Sequence, residues 1–129
     1  MKVVIIAVCT LLITSLETVA QKRNMQDLRG IWEAMGKNKN GGLQVVDSTE
    51  IYLVYGTHKM QVIQWHADFS KTPAWIDFTV EDSTREIRLK SLLQFIDDDL
   101  IQWQIFYEGA RPVIFASGRG DMVYLRKKR

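Results

Sequence analysis

The residues best suited to chemistry in this 129-residue chain are two histidines, His58 and His66, and the run Asp97-Asp98-Asp99. Zinc needs three or four ligands drawn from His, Cys and carboxylate. His66 with Asp68 two positions along offers only a surface pair. Carboxylate oxygens suit calcium, but no spaced Asp/Asn/Gly/Glu pattern surrounds the three aspartates, and Asp in a short run is a turn former. Ser117-Gly118-Arg119-Gly120 has the small residues of a phosphate loop or a nucleophile elbow without the strand-to-helix setting that either requires. The single cysteine, Cys9, lies within an apolar run, so no thiol nucleophile or disulfide framework is expected. No catalytic residue, metal site or cofactor is therefore assigned, and the chain is not read as an enzyme.

The aromatic residues are more informative. Tyr55, Trp65, Phe78, Phe95, Trp103 and Tyr107 fall at alternating positions of successive apolar/polar segments. In a small barrel all six would turn inward, where they either line a ligand space or fill it. Most other inward positions are also large, Ala34, Ala67, Ala74 and Ser91 excepted, so a small cavity is compatible with the sequence and a large one is not expected. Trp75 has the opposite parity. It is expected on the outer face beside Asp77 and Thr79, either as a contact for a protein partner or glycan or beneath the N-terminal segment.

The elements that must position these side chains are strands. Asn24 to Gly30 reads as a short helical turn, with Asn24 as cap and Gly30 as terminator. Strand patterns then follow at 31–37, 43–46, 51–55, 59–69, 74–80, 87–96, 100–107, 113–116 and 122–126. The clearest is 59–69, where Ile63, Trp65, Ala67 and Phe69 alternate with Gln64, His66 and Asp68. Residues 87–96 also fit a helix, but Asp97-Asp98-Asp99 and the alternating 100–107 beyond it make the pair a hairpin. Short strands, regular turn signals and no intervening helices predict an all-β antiparallel up-and-down barrel of about eight strands.

Some of these segments resemble a known family. Leu28-Arg29-Gly30-Ile31-Trp32 resembles the opening Leu-x-Gly-x-Trp of lipocalin-like domains, and Lys71-Thr72-Pro73-Ala74-Trp75-Ile76-Asp77-Phe78 resembles the Lys-x-Pro-x-x-Ile-Asp segment of a family of small exported bacterial proteins of lipocalin-like class. Asp98-Asp99-Leu100, Arg111-Pro112-Val113-Ile114-Phe115 and Leu125-Arg126-Lys127 follow in the family's order. The resemblance, over residues 25–129, implies a fold and no activity. It also implies that Trp32 packs at the closed end of the barrel beneath a guanidinium from the last strand, for which Arg126 is the matching residue. A lid, if one exists, falls in the Gly/Asn-rich turn at 36–42.

Met1-Lys2, the apolar run Val3 to Ile13 and Thr18-Val19-Ala20 read as a signal peptide. The run is interrupted by Thr10 and Thr14 and closed by Glu17, which disfavours a spanning helix. The mature domain is expected over residues 21–129, without a membrane span and without cysteine, in a bacterial periplasm, at the cell surface or outside the cell. Sequencing the N-terminus of the exported protein should find it at or near Gln21; an intact Met1 in a membrane fraction would overturn this. The net charge of +2 implies no global field, and the cluster Arg126-Lys127-Lys128-Arg129 is read as a solvated tail rather than a nucleic-acid contact. Two function classes remain: a binding protein for a small apolar or amphipathic ligand, and a non-catalytic structural or interaction module of the envelope with a solid barrel core.

Overall fold

The alternating segments close into a barrel. A computed structural model describes residues 22–36 and 41–129; the expected leader with Cys9 and its cleavage point at Ala20, and residues 37–40 of the Gly/Asn-rich turn, lie outside them. Among the described residues the strands are β1 (Gly30–Ala34), β2 (Gly41–Val45), β3 (Ile51–Tyr55), β4 (His58–Asp68), β5 (Ala74–Asp82), β6 (Arg85–Asp97), β7 (Leu100–Phe106) and β8 (Asp121–Lys127). Each pairs antiparallel with the next, and β8 returns to β1, with Trp32 opposite Lys127 and Ala34 opposite Leu125. The result is the closed eight-stranded up-and-down barrel that the period-2 pattern predicts. Closure gives every described strand a neighbour on each side, so the sheet has no edge strand among the described residues.

The N-terminal turn is a 3-10 helix over Met25–Leu28. Asn24 caps it reciprocally: its side chain accepts from the Gln26 N–H at 2.8 Å while the Asp27 carboxylate accepts from the Asn24 N–H at 2.8 Å. Gly30 opens β1 rather than terminating the turn.

Two local expectations are corrected. Residues 113–116 form no strand; β7 and β8 are joined by one long irregular connection. Ile63, expected inward, is 45% exposed. A bulge between Val62 and Gln64 inserts it as an extra residue and reverses the parity of β4. Met60 and Val62 thus face the core before the bulge, and Trp65, Ala67 and Phe69 after it.

The two ends of the barrel differ. At one end, Leu28 and Met25 of the 3-10 turn pack on Trp32, Phe95 and their neighbours. The Trp32 indole is buried, donates to the Leu28 carbonyl at 2.8 Å and meets the Phe95 ring edge-on at 6.1 Å. The cation over Trp32 is the Lys127 ammonium, 5.6 Å from the ring centroid, not the Arg126 guanidinium expected from the resemblance. Register supplies the reason. Leu125 and Lys127 share the inward parity of β8, whereas Arg126 stands opposite Glu33 and faces outward. Arg23 covers Phe95 at 4.6 Å.

The basic end of the chain is solvent-exposed, as read from the sequence, and makes surface ion pairs. Lys128 approaches Glu33 at 3.6 Å and Arg129 pairs with Asp99. The three aspartates serve this end too: Asp97 accepts the Asp99 N–H at 2.7 Å, and Asp98 pairs with Arg23 at 2.7 Å. The hydrogen bond and charge of Arg129 hold the Asp99 carboxyl below the usual carboxylate range.

Candidate functional site

At the opposite end, where β1, β3, β5 and β7 finish and β2, β4, β6 and β8 begin, the interior opens. A cavity of about 820 Å³ enters the barrel there. It is larger than the bulky inward aromatics led one to expect. Its walls are aliphatic for the most part, with Leu53, Met60, Val80, Ile87, Leu89, Ile105 and Val123 around Trp103, and small residues at its rim, Ala34, Gly41 and Ser83, keep it wide.

The six aromatics assigned from sequence divide between the two halves. Tyr55, Trp103 and Tyr107 line the cavity. Phe78 lies below it in the packed core, edge-on to Trp103 at 5.6 Å. Phe95 belongs to the plugged end against Trp32. Trp65 is only partly buried, in the plugged half, and its indole N–H donates to the Ser48 carbonyl at 2.8 Å. Trp103 itself is 2% exposed, and its indole N–H has no hydrogen-bond partner among the described residues. The aliphatic wall was missed because Leu, Ile and Val at inward positions look alike whether they fill a core or line a space.

Polar groups gather at the mouth. Tyr55, His58, Glu81, Tyr107 and Asp121 lie on its lining. The Tyr107 hydroxyl donates to Asp121 Oδ2 at 2.6 Å. Partial burial, that hydrogen bond and the charge of Asp121 push the Tyr107 phenol up from its ordinary pKa, so it stays a neutral donor. Lys59 also reaches the lining, but its ammonium lies over the Tyr52 ring at 4.1 Å, and Tyr52 donates to Glu50.

The connection from residue 107 to 120 frames one side of the mouth and folds down the outer wall. Gln104, outward-facing yet 1% exposed, clamps it: its amide donates to the carbonyls of Ala116 and Arg119 and accepts from the Ala116 N–H at 3.0 Å. Arg111 lies over the Trp75 ring at 4.6 Å and pairs with Asp77. Its side chain is 8% exposed, and its Nε and Nη1 have no partner among the described residues. Trp75 is therefore outward, as its parity predicts, but half-buried under this loop's arginine rather than free. Beside it in register stand Leu92 and then Gln104. Both are buried, so the outer face of β5–β7 is a second, smaller packed layer.

His66 pairs across the ladder with Asp77 on this outer wall, while His58 lies at the mouth. No group of three or more His, Cys, Asp or Glu side chains is gathered for a metal among the described residues. No helix among them is long and apolar enough to cross a membrane. The fold and the cavity thus define a closed eight-stranded barrel with one plugged and one open end. Comparison with protein-family models, with curated proteins and with solved structures gave no match.

Proposed function

We propose that this is an exported lipocalin-like protein, and that the domain holds one small amphipathic molecule in the open half of the barrel, apolar part inward and polar part at the mouth. The cavity carries this reading: about 820 Å³, walled by aliphatic side chains and rimmed by a few polar ones, it has the size and make-up typical of small-molecule sites. The leader-like residues 1–20 and the resemblance of 25–129 to exported lipocalin-like domains support the setting. A twelve-carbon chain transferred from water gains roughly 10 kcal/mol at ~0.8 kcal/mol per methylene. Association costs of about 4 kcal/mol leave about 6, a dissociation constant in the tens of micromolar.

N-phenyl-1-naphthylamine, a neutral fluorescent probe, should bind the folded domain at one saturable site and quench tryptophan emission, since Trp103 lines the space. Val123→Trp, which fills the cavity from its wall, should abolish binding while the protein stays folded. A flat titration with the unaltered domain would overturn the binding reading and leave the non-catalytic interaction module as the survivor.

A further inference from the structure

We propose that the polar end of the bound molecule is a cation, seated at the mouth between the rings of Tyr55 and Tyr107 and against the Asp121 carboxylate. This rests on the cavity being a binding site and adds the chemical class of its occupant.

Strand parity turns the three residues into the same interior. Leu53 faces the core, so Tyr55 two residues on faces the same interior at the end of β3. Ile105 and Val123 do the same for Tyr107 and Asp121, and all three lie on the cavity lining. Both tyrosines are large aromatics left more than half exposed, 65% and 56%. They stand on facing walls of the mouth, at the end of β3 and just past the end of β7. An aromatic face attracts a cation through its quadrupole, and a ring or two beside a carboxylate is the arrangement that recognises ammonium groups.

Among the described residues the carboxylates of the mouth have no cationic partner. Asp121 accepts a hydrogen bond from Tyr107 through Oδ2. Among the described residues no Lys, Arg or His forms an ion pair with Asp121 or with Glu81, although both lie on the lining. Lys59 is engaged on Tyr52 instead. Among the described residues His58 is the remaining basic side chain on the lining; it pairs in register with Tyr55 and forms no ion pair with either carboxylate. A neutral or anionic head would leave the carboxylates unanswered; a cationic head supplies what they lack.

The test compares three twelve-carbon amphiphiles below their micellar concentrations by calorimetric titration: dodecyltrimethylammonium, the uncharged dodecyldimethylamine oxide and dodecanoate. The trimethylammonium compound should bind about tenfold more tightly than the amine oxide, the scale of one exposed cation–π contact plus a carboxylate, and dodecanoate should bind most weakly. Asp121→Asn should lower the affinity for the cation about tenfold and leave the amine oxide unaffected. Tyr55→Leu, which keeps Asp121 in place, should cost the cation severalfold and serves if the first variant fails to fold. Equal affinities for the three amphiphiles, or an unchanged preference in both variants, would overturn the cationic seat while the cavity stands. Failure of all three, together with a flat N-phenyl-1-naphthylamine titration, would overturn the cavity reading itself.

Discussion

Trp32→Ala is expected to lower the stability of the domain by about 4 kcal/mol, measured by urea unfolding. The indole is 1% exposed and is the largest fully buried side chain among the described residues. Removing it deletes the edge contact with Phe95, the hydrogen bond to Leu28 and the surface beneath Lys127 at one stroke. The 3-10 turn then has nothing to close upon. Trp32→Phe keeps a ring and loses the N–H donor, so it should cost less, about 2 kcal/mol from the lost hydrogen bond and the smaller volume. Because Trp32 sits at the plugged end, the folded fraction of either variant should bind N-phenyl-1-naphthylamine as the unaltered domain does. A loss under about 2 kcal/mol for Trp32→Ala would show that the plug does not depend on this indole.

Gly120→Ala should be comparably damaging for a different reason. Gly120 has φ +56, and a Cβ there would lie 2.0 Å from the Ile105 carbonyl oxygen. That oxygen is backbone and cannot swing aside as a side chain would. It belongs to the residue paired with Asp121, so relief means parting β7 from β8 where the mouth begins. Strain of about 1–3 kcal/mol from the backbone conformation and a similar term from forced repacking give an expected loss of about 3–5 kcal/mol. Gly118 is the control: it also has positive φ, +75, but an added Cβ there meets nothing within 4 Å. Gly118→Ala should cost about 1–2 kcal/mol, the left-handed penalty alone. Equal denaturation midpoints for the two variants would remove the close-approach argument.

The barrel was legible because its signal is repeated. Runs such as Ile101, Trp103 and Ile105 against Gln102 and Gln104 admit one period, and the β6–β7 hairpin at the aspartate run follows from it. Parity also put Trp75 on the outside. Sequence reasoning failed where a single residue shifts the count. The extra Ile63 turns one half of β4 over relative to the other, and nothing in its residue types marks a bulge. At the end of β8 an offset of one exchanged Arg126 for Lys127 over Trp32.

The outer layer left a trace that alternation alone does not use. Trp75-Ile76, Leu92-Leu93 and Ile105-Phe106 are adjacent apolar pairs, which a strand wet on one face does not need. They mark the stretch where the connection 107–120 covers the wall. The cavity was half legible. Tyr55, Trp103 and Tyr107 were assigned to it, but Phe78, Phe95 and Trp65 also point inward at other heights. Parity tells in from out, not top from bottom. Height along a barrel depends on register and stagger, which the pattern within one strand does not contain.

The pairing of β1 with β8 has a consequence in time. Residues 32–34 find their partners in 125–127, so the contact that closes the barrel spans nearly the whole described chain. Until β8 has been synthesised, β1 and β7 each present an unpaired edge, and the interior that Leu125 completes stays wet. Such long-range pairing is slow to form, because loop-closure entropy is spent before the contacts repay it. The domain is therefore expected to gain its native stability in one late, cooperative step, which a single denaturation transition shared by tryptophan emission and circular dichroism would show.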